Sequence, residues 1–164
     1  MKTGFINCCL AIFSTVILLI SCSSSRELRR MNREINGKWV LQTIITEGAS
    51  GKPKDKVFNE ADFSCFIGSG WKFNKNKYNG SYSIIDRQKI CPNITRPIRW
   101  SLKENASAPA AFTFMWSADN KQGAPVYPAY NLIVLDLKST SMKLKQDIMI
   151  DGQPAVLIFN FVKQ

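Results

Sequence analysis

Few side chains in this sequence can do chemistry, and one type is missing altogether. There is no histidine. That removes Ser-His-Asp and Cys-His catalysis, histidine general bases and histidine-bearing zinc sites. An enzyme would have to work with carboxylates, lysine or tyrosine alone. The 12 Asp and Glu residues are scattered, with no pair assignable as acid and base and no spacing that suggests a metal. We therefore expect a non-enzyme with no catalytic residue, metal or cofactor. Two other groups are more informative. Cys65 and Cys91 are candidates for a bond to each other. Trp71, Phe73, Tyr82, Trp100, Phe114, Trp116 and Tyr130 could line a cavity for an apolar ligand, or they could simply be core.

The N-terminus must be set aside before the fold is read. Lys2 precedes a run of apolar or small residues from about Phe5 to Ile20, ending in Leu19-Ile20-Ser21-Cys22. That tetrapeptide resembles the bacterial lipobox: an apolar residue, a tolerant position, a small residue, then cysteine. The resemblance implies a lipoprotein signal peptide over residues 1–21 and acylation of Cys22. It also implies a lipidated tether over 22–35 and a folded domain over 36–164. The alternative is an ordinary secretory signal or a single membrane-spanning anchor, because the apolar run is nearly long enough to cross a bilayer. Each buried acyl methylene adds ~0.8 kcal/mol, so two or more chains anchor stably where one does not. Ser23, where an Asp would suggest inner-membrane retention, points to the outer membrane. On this reading Cys8 and Cys9 leave with the leader and Cys22 carries lipid. Cys65 and Cys91 remain in a disulfide-permissive compartment. A pair is the simplest outcome; two free buried thiols are the other.

The elements that position these residues are short strands. The first spans about Gly37 to Thr46, where period two puts Trp39, Leu41 and Ile45 on one face with Thr43. Residues 57–67 fit a short helix or an irregular lid, with Phe58, Phe63 and Phe66 as core plugs. Trp71-Lys72-Phe73 and Ser81-Tyr82-Ser83-Ile84 alternate around turn residues near Tyr78, a hairpin signal. Cys65 and Cys91 lie equally far on either side of Tyr78, so the hairpin brings both to its open end. Further alternation follows at Ile98-Trp100-Leu102, Phe112-Phe114-Trp116, Met142–Ile150 and Leu157-Phe159-Phe161, and Ala129 to Leu137 reads as a longer apolar strand. Asp151-Gly152 reads as a two-residue turn. Eight strands at hairpin spacing predict an all-β, antiparallel up-and-down barrel.

These motifs, in this order, resemble the small lipocalin-like lipoproteins common in Bacteroidetes. The likeness is carried by the lipobox at Cys22, by Asn36-Gly37-Lys38-Trp39, and by the stretch from Cys65 to Phe73. Asn79-Gly80-Ser81-Tyr82 and the stretch Met142–Gln146 complete it. It implies a lipocalin-like barrel in which Gly37 and Trp39 form a structural plug at the closed end, beneath Lys163. The family's Thr-Asp-Tyr signature is absent at residues 136–140, which leaves open whether the barrel holds a pocket or is packed solid.

The net charge of +10 suits attraction to an anionic membrane or an acidic ligand, although a solvated surface has the same balance. Nucleic acid is disfavoured, since no recognised motif is present. The sequence thus points to a binding module, lipid-anchored at the cell envelope, for a small hydrophobic or amphipathic molecule. The other reading is a packed barrel that serves as an accessory subunit with an envelope protein partner.

Overall fold

The structure is a computed structural model that describes residues 26–48, 56–85, 90–105, 108–117 and 127–164. The expected signal peptide and the acylation of Cys22 lie outside these residues. Eight strands are present: β1 (Gly37–Glu47), β2 (Gly70–Asn74), β3 (Asn79–Ile84), β4 (Ile94–Asn105), β5 (Ala108–Trp116), β6 (Ala129–Leu137), β7 (Ser141–Ile150) and β8 (Gln153–Lys163). Each pairs antiparallel with its sequence neighbour, and β8 pairs with β1 to close the barrel. The expected eight-stranded up-and-down barrel is therefore the fold. Closure gives every strand two partners, so no backbone edge is left to template aggregation.

Alternation places the core. Phe112 and Phe114 on β5, Met142 and Leu144 on β7, and Leu157, Phe159 and Phe161 on β8 are all buried. Asp151 and Gly152 both take positive φ, 49° and 79°, the geometry of the two-residue hairpin turn joining β7 to β8. One expected face is wrong. Ile45 is 48% exposed, while Ile44 is buried. The β1–β8 register runs Leu41↔Phe161 and then Thr43↔Asn160, so Gln42 is bulged out. One extra residue reverses the parity of everything after it. β4 also starts earlier than the alternation suggested, at Ile94 opposite Ile84, and carries Pro97 within it.

The lower end of the barrel is sealed by helix α1, residues 26–35. Leu28, Met31 and Ile35 recur at helical spacing and face the barrel. Met31 is 5% exposed and Ile35 fully buried. These residues were expected to be spacer, yet they contribute core because their apolar stripe has a hole to cover. Residues 26–164 thus hold a closed barrel together with its own floor.

Trp39 lies at the centre of that floor, fully buried, and its indole Nε1 donates to the Ile35 carbonyl at 2.7 Å. Lys163 at the end of β8 crosses above it, with Nζ 5.1 Å from the ring centroid. The same Nζ donates to the Glu34 carbonyl at 2.7 Å, so one cation satisfies a terminal carbonyl of α1 and covers the indole face. Gly37 has φ 126°, and a Cβ there would meet the Lys163 Cε at 3.0 Å. The glycine turns the chain from helix into strand and leaves room for the lysine stem, which is a physical reason for Gly-x-Trp in this chain. Lys163→Met should lower stability by about 1–3 kcal/mol, and Gly37→Ala by a similar amount through backbone strain. Urea titration measures both, and an unchanged midpoint for Lys163→Met would contradict this account of the floor.

Candidate ligand-binding site

The upper end is closed differently. The chain from Lys56 to Ser69 crosses the mouth as a bridged turn, with Val57 paired to Ala61, followed by the short helix α2 (Phe63–Phe66). Phe58, at the tip of the turn, points down into the barrel and is 4% exposed. Its ring stacks on Phe159 at 5.5 Å. Four more rings meet it edge-on: Phe114 at 4.9 Å, Tyr130 at 5.2 Å, Phe66 at 5.4 Å and Trp71 at 6.2 Å. Edge-to-face packing of this kind adds about 0.5–1.5 kcal/mol per pair beyond area burial. The insertion has a backbone cost. Phe58 and Asn59 adopt φ 53° and 54°, the left-handed region that bulky L-residues avoid. The Tyr130 hydroxyl holds the turn by donating to the Phe58 carbonyl at 2.6 Å.

A polar latch lies beside the turn. Arg96 on β4 grips Glu60 in a forked pair, Nε to Oε2 at 2.8 Å and Nη2 to Oε1 at 2.9 Å. The Tyr82 hydroxyl donates to Glu60 Oε2 at 2.9 Å and accepts from Trp116 Nε1 at 3.0 Å. The Arg96 guanidinium also lies over the Trp116 ring, 5.1 Å from its centroid. Burial pushes the Tyr82 phenol far above its ordinary value, and the Glu60 carboxylate adds to the effect. Burial alone would raise the Glu60 carboxyl. The hydrogen bonds from Arg96 and Tyr82, with the charges of Arg96 and Lys56, outweigh it and hold Glu60 below the usual range. The Glu60 side chain is 8% exposed and that of Arg96 43%, so the pair stands between a buried and a surface ion pair.

The third tie is covalent. Cys65 in α2 and Cys91 just before β4 form a disulfide with Cα atoms 5.5 Å apart, as the hairpin symmetry predicts. It fixes the outer part of the lid to the β3–β4 side of the mouth.

The aromatic candidates divide by height in the barrel. Trp71, Phe114 and Tyr130 form the seat of the Phe58 ring. Tyr82 and Trp116 belong to the latch. Phe73 and Trp100 lie lower, packed on each other at 5.8 Å and on Phe112. Six of the seven are buried and Trp116 is partly so. Of the seven, Tyr130 faces open volume among the described residues. That volume is a cavity of about 270 Å³ between the lid and β6–β8, lined by Lys56, Val57, Phe58, Asn59, Tyr130, Gln146, Ile148, Met149 and Leu157. Gln146 is the one polar residue in the inward series from Met142 to Ile150, a signal visible in the alternation. The roles of Glu60 and Arg96 were not visible, because the pair joins elements 36 residues apart in sequence. A larger groove of about 600 Å³ runs along the outer rim where β1, β7 and β8 end, past Glu47, Ile148, Met149 and Pro154. We place the site in the smaller cavity, because apart from Met149 its walls are inward residues of the barrel and the lid itself.

A closed antiparallel barrel with a cavity under a lid is an architecture suited to holding a small molecule. Residues 35–144 match the model of the lipocalin-like domain, and the chain belongs to that family, whose members are typically non-enzymatic binding proteins. No curated protein and no solved structure matches the chain.

Two outcomes test the lid. Replacing both Cys65 and Cys91 by serine should cost roughly 3–4 kcal/mol in the chain-entropy account of a bridge spanning 26 residues. A urea midpoint unchanged from wild type would refute it. The latch should respond to acid. Because the Glu60 carboxyl is held below the ~4.3 of free glutamate, its contribution is complete above that value. It is lost as pH falls through the depressed folded value. Trp116 fluorescence should therefore show an acid transition that is absent in Glu60→Gln. A transition that survives in Glu60→Gln must come from another group.

Proposed function

We propose that this protein is a lipid-anchored binding protein of the cell envelope that holds a small hydrophobic or amphipathic molecule in the upper half of its barrel. One observation carries the reading: an aromatic side chain of the protein's own lid occupies an aromatic seat beside a cavity of about 270 Å³. As it stands the cavity is at the small end of ligand sites, which run from ~300 to ~1,000 Å³. Withdrawing Phe58 joins its seat to the cavity and brings the volume into range. The preferred ligand is then a narrow apolar body that replaces the phenyl ring, with one polar end within reach of Gln146 and Lys56. The strained backbone at Phe58 and Asn59 lowers the cost of that exchange, since release relieves it. The lipobox-like residues before Cys22 support the anchor, and Ser23 supports the outer membrane as the destination.

Native mass spectrometry of protein purified from its own cells tests the reading. A stoichiometric small molecule should accompany the protein, and bare protein would argue against it. Phe58→Ala supplies a second check: it should bind an apolar fluorescent probe at least about tenfold more tightly than wild type, because the ring no longer competes. Equal affinities would show that Phe58 is not in the site.

The rim groove favours a second reading, an accessory subunit whose partner covers Met149, which is 59% exposed. Pro154→Lys, which lies in the groove but not in the wall of the cavity, would then abolish crosslinking to an envelope partner and leave probe binding intact.

A further inference from the structure

We infer that the closed end of the barrel is a docking surface for an anionic lipid bilayer, so that the mouth points away from the membrane. The first observation is the geometry of α1. Arg26, Arg29 and Arg33 are all exposed and recur at i, i+3 and i+7. They form one stripe on the helix. Leu28, Met31 and Ile35 form the opposite stripe, and that stripe is fixed against the barrel core. Arg30 locks the helix further by donating to the Leu137 carbonyl at 2.9 Å. The three arginines therefore point straight out from the floor. Among the described residues none of them is ion-paired, whereas Arg30 is paired with Glu27.

The second observation is where the charge lies. The floor half consists of residues 26–38, 72–79, 99–105, 108–111, 136–143 and 160–164. It holds thirteen Lys and Arg but only Glu27, Glu34, Glu104 and Asp136 as acids, so it carries nine of the chain's ten net positive charges. Around the mouth the described residues are balanced or acidic, with Glu47, Glu60, Asp62, Asp147 and Asp151 set against Lys56, Arg96 and Lys145. A surface with this polarity turns its floor toward a negative plane.

The third observation is reach. The long apolar run of the sequence ends near Ile20, and Arg26 opens α1 only four residues after Cys22. An extended chain spans at most ~3.6 Å per residue, so a lipid surface at residue 22 lies within ~15 Å of the arginine stripe. This step rests on the membrane-anchored reading above; the first two do not.

Each basic residue close to an anionic surface contributes about a fivefold gain in partitioning, so the stripe should contribute on the order of a hundredfold. The test uses residues 23–164 without an acyl chain, so its result does not depend on lipidation at Cys22. This span contains the closed barrel and both its covers. Cosedimentation with phosphatidylcholine vesicles is compared with vesicles that also contain phosphatidylglycerol. Wild type should bind only the anionic vesicles, increasingly weakly as salt rises. Binding should fall by at least about a hundredfold in the triple variant Arg26→Glu, Arg29→Glu, Arg33→Glu. Three acidic substitutions at exposed positions of the mouth end, Ile85→Glu, Ile90→Glu and Gln153→Glu, should cost far less. A fluorophore on Asn76→Cys, in the floor turn between β2 and β3, should be quenched by headgroup nitroxides, and one on Gln153→Cys at the mouth should not. Equal binding to both vesicle types, equal losses in the two triple variants, or quenching at position 153 rather than 76 would each overturn the inference. Acylation is read separately: loss of membrane retention in Cys22→Ala cells bears on the anchor alone.

Discussion

A barrel of eight strands satisfies its backbone hydrogen bonds by closing on itself, but closing leaves a hole at each end. Water entering either hole would reach the aromatic core, and the rest of this structure depends on keeping it out. The two ends are sealed by different physics. The floor is permanent: α1 lays an apolar stripe across it, Trp39 fills the centre, and Lys163 ties the helix terminus to the indole. The mouth is sealed by a turn that must hold two residues in left-handed conformation to put one phenyl ring in place. A seal built on relaxed helix geometry and one built on backbone strain differ in how readily they open.

The mouth's other contacts fit that distinction. The disulfide anchors the α2 end of the lid to the barrel wall, while the Phe58 tip is held by hydrogen bonds and ring contacts alone. The Glu60–Arg96 fork lies between these two regimes. It is charged, partly open to solvent and adjacent to the tip. A lid hinged covalently on one side and latched electrostatically on the other can release its tip without unfolding the barrel. Under the proposed function the binding site and the lid are one object, with the lid's own side chain taking the ligand's place when none is bound.

Much of this was legible in the sequence. Strict alternation in β5, β7 and β8 marked the inward faces of those strands, and Asp151-Gly152 marked the β7–β8 turn. The near-symmetric placement of Cys65 and Cys91 about the first hairpin marked the disulfide. The failures have physical causes. The bulge at Gln42 follows from three-dimensional pairing with β8, and no local residue announces it, so Ile44 and Ile45 exchanged faces. Arg26 to Ile35 looked like a charged spacer because its three core-facing residues are outnumbered by charges; the stripe has meaning only once there is a floor to cover. Phe58 was legible as a plug, but its depth was not, because that depth depends on positive φ at Phe58, a residue type that seldom adopts it. The Glu60–Arg96 pair could not be found in the sequence, since neither residue has its partner nearby in the chain.

The central claim is that Phe58 occupies the place of a ligand. Aromatic carbon-labelled phenylalanine gives the direct reading, because Phe58 lies against five rings and its resonances should be displaced from the ordinary position by ring currents. Titration with a saturated medium-chain fatty acid should move the Phe58 signals toward the values of an exposed phenylalanine as the site fills. The signals of Phe112 and Phe161, deeper in the barrel, should stay in place. Saturable binding that left Phe58 undisturbed would contradict the account, because the ligand would then lie somewhere other than under the lid.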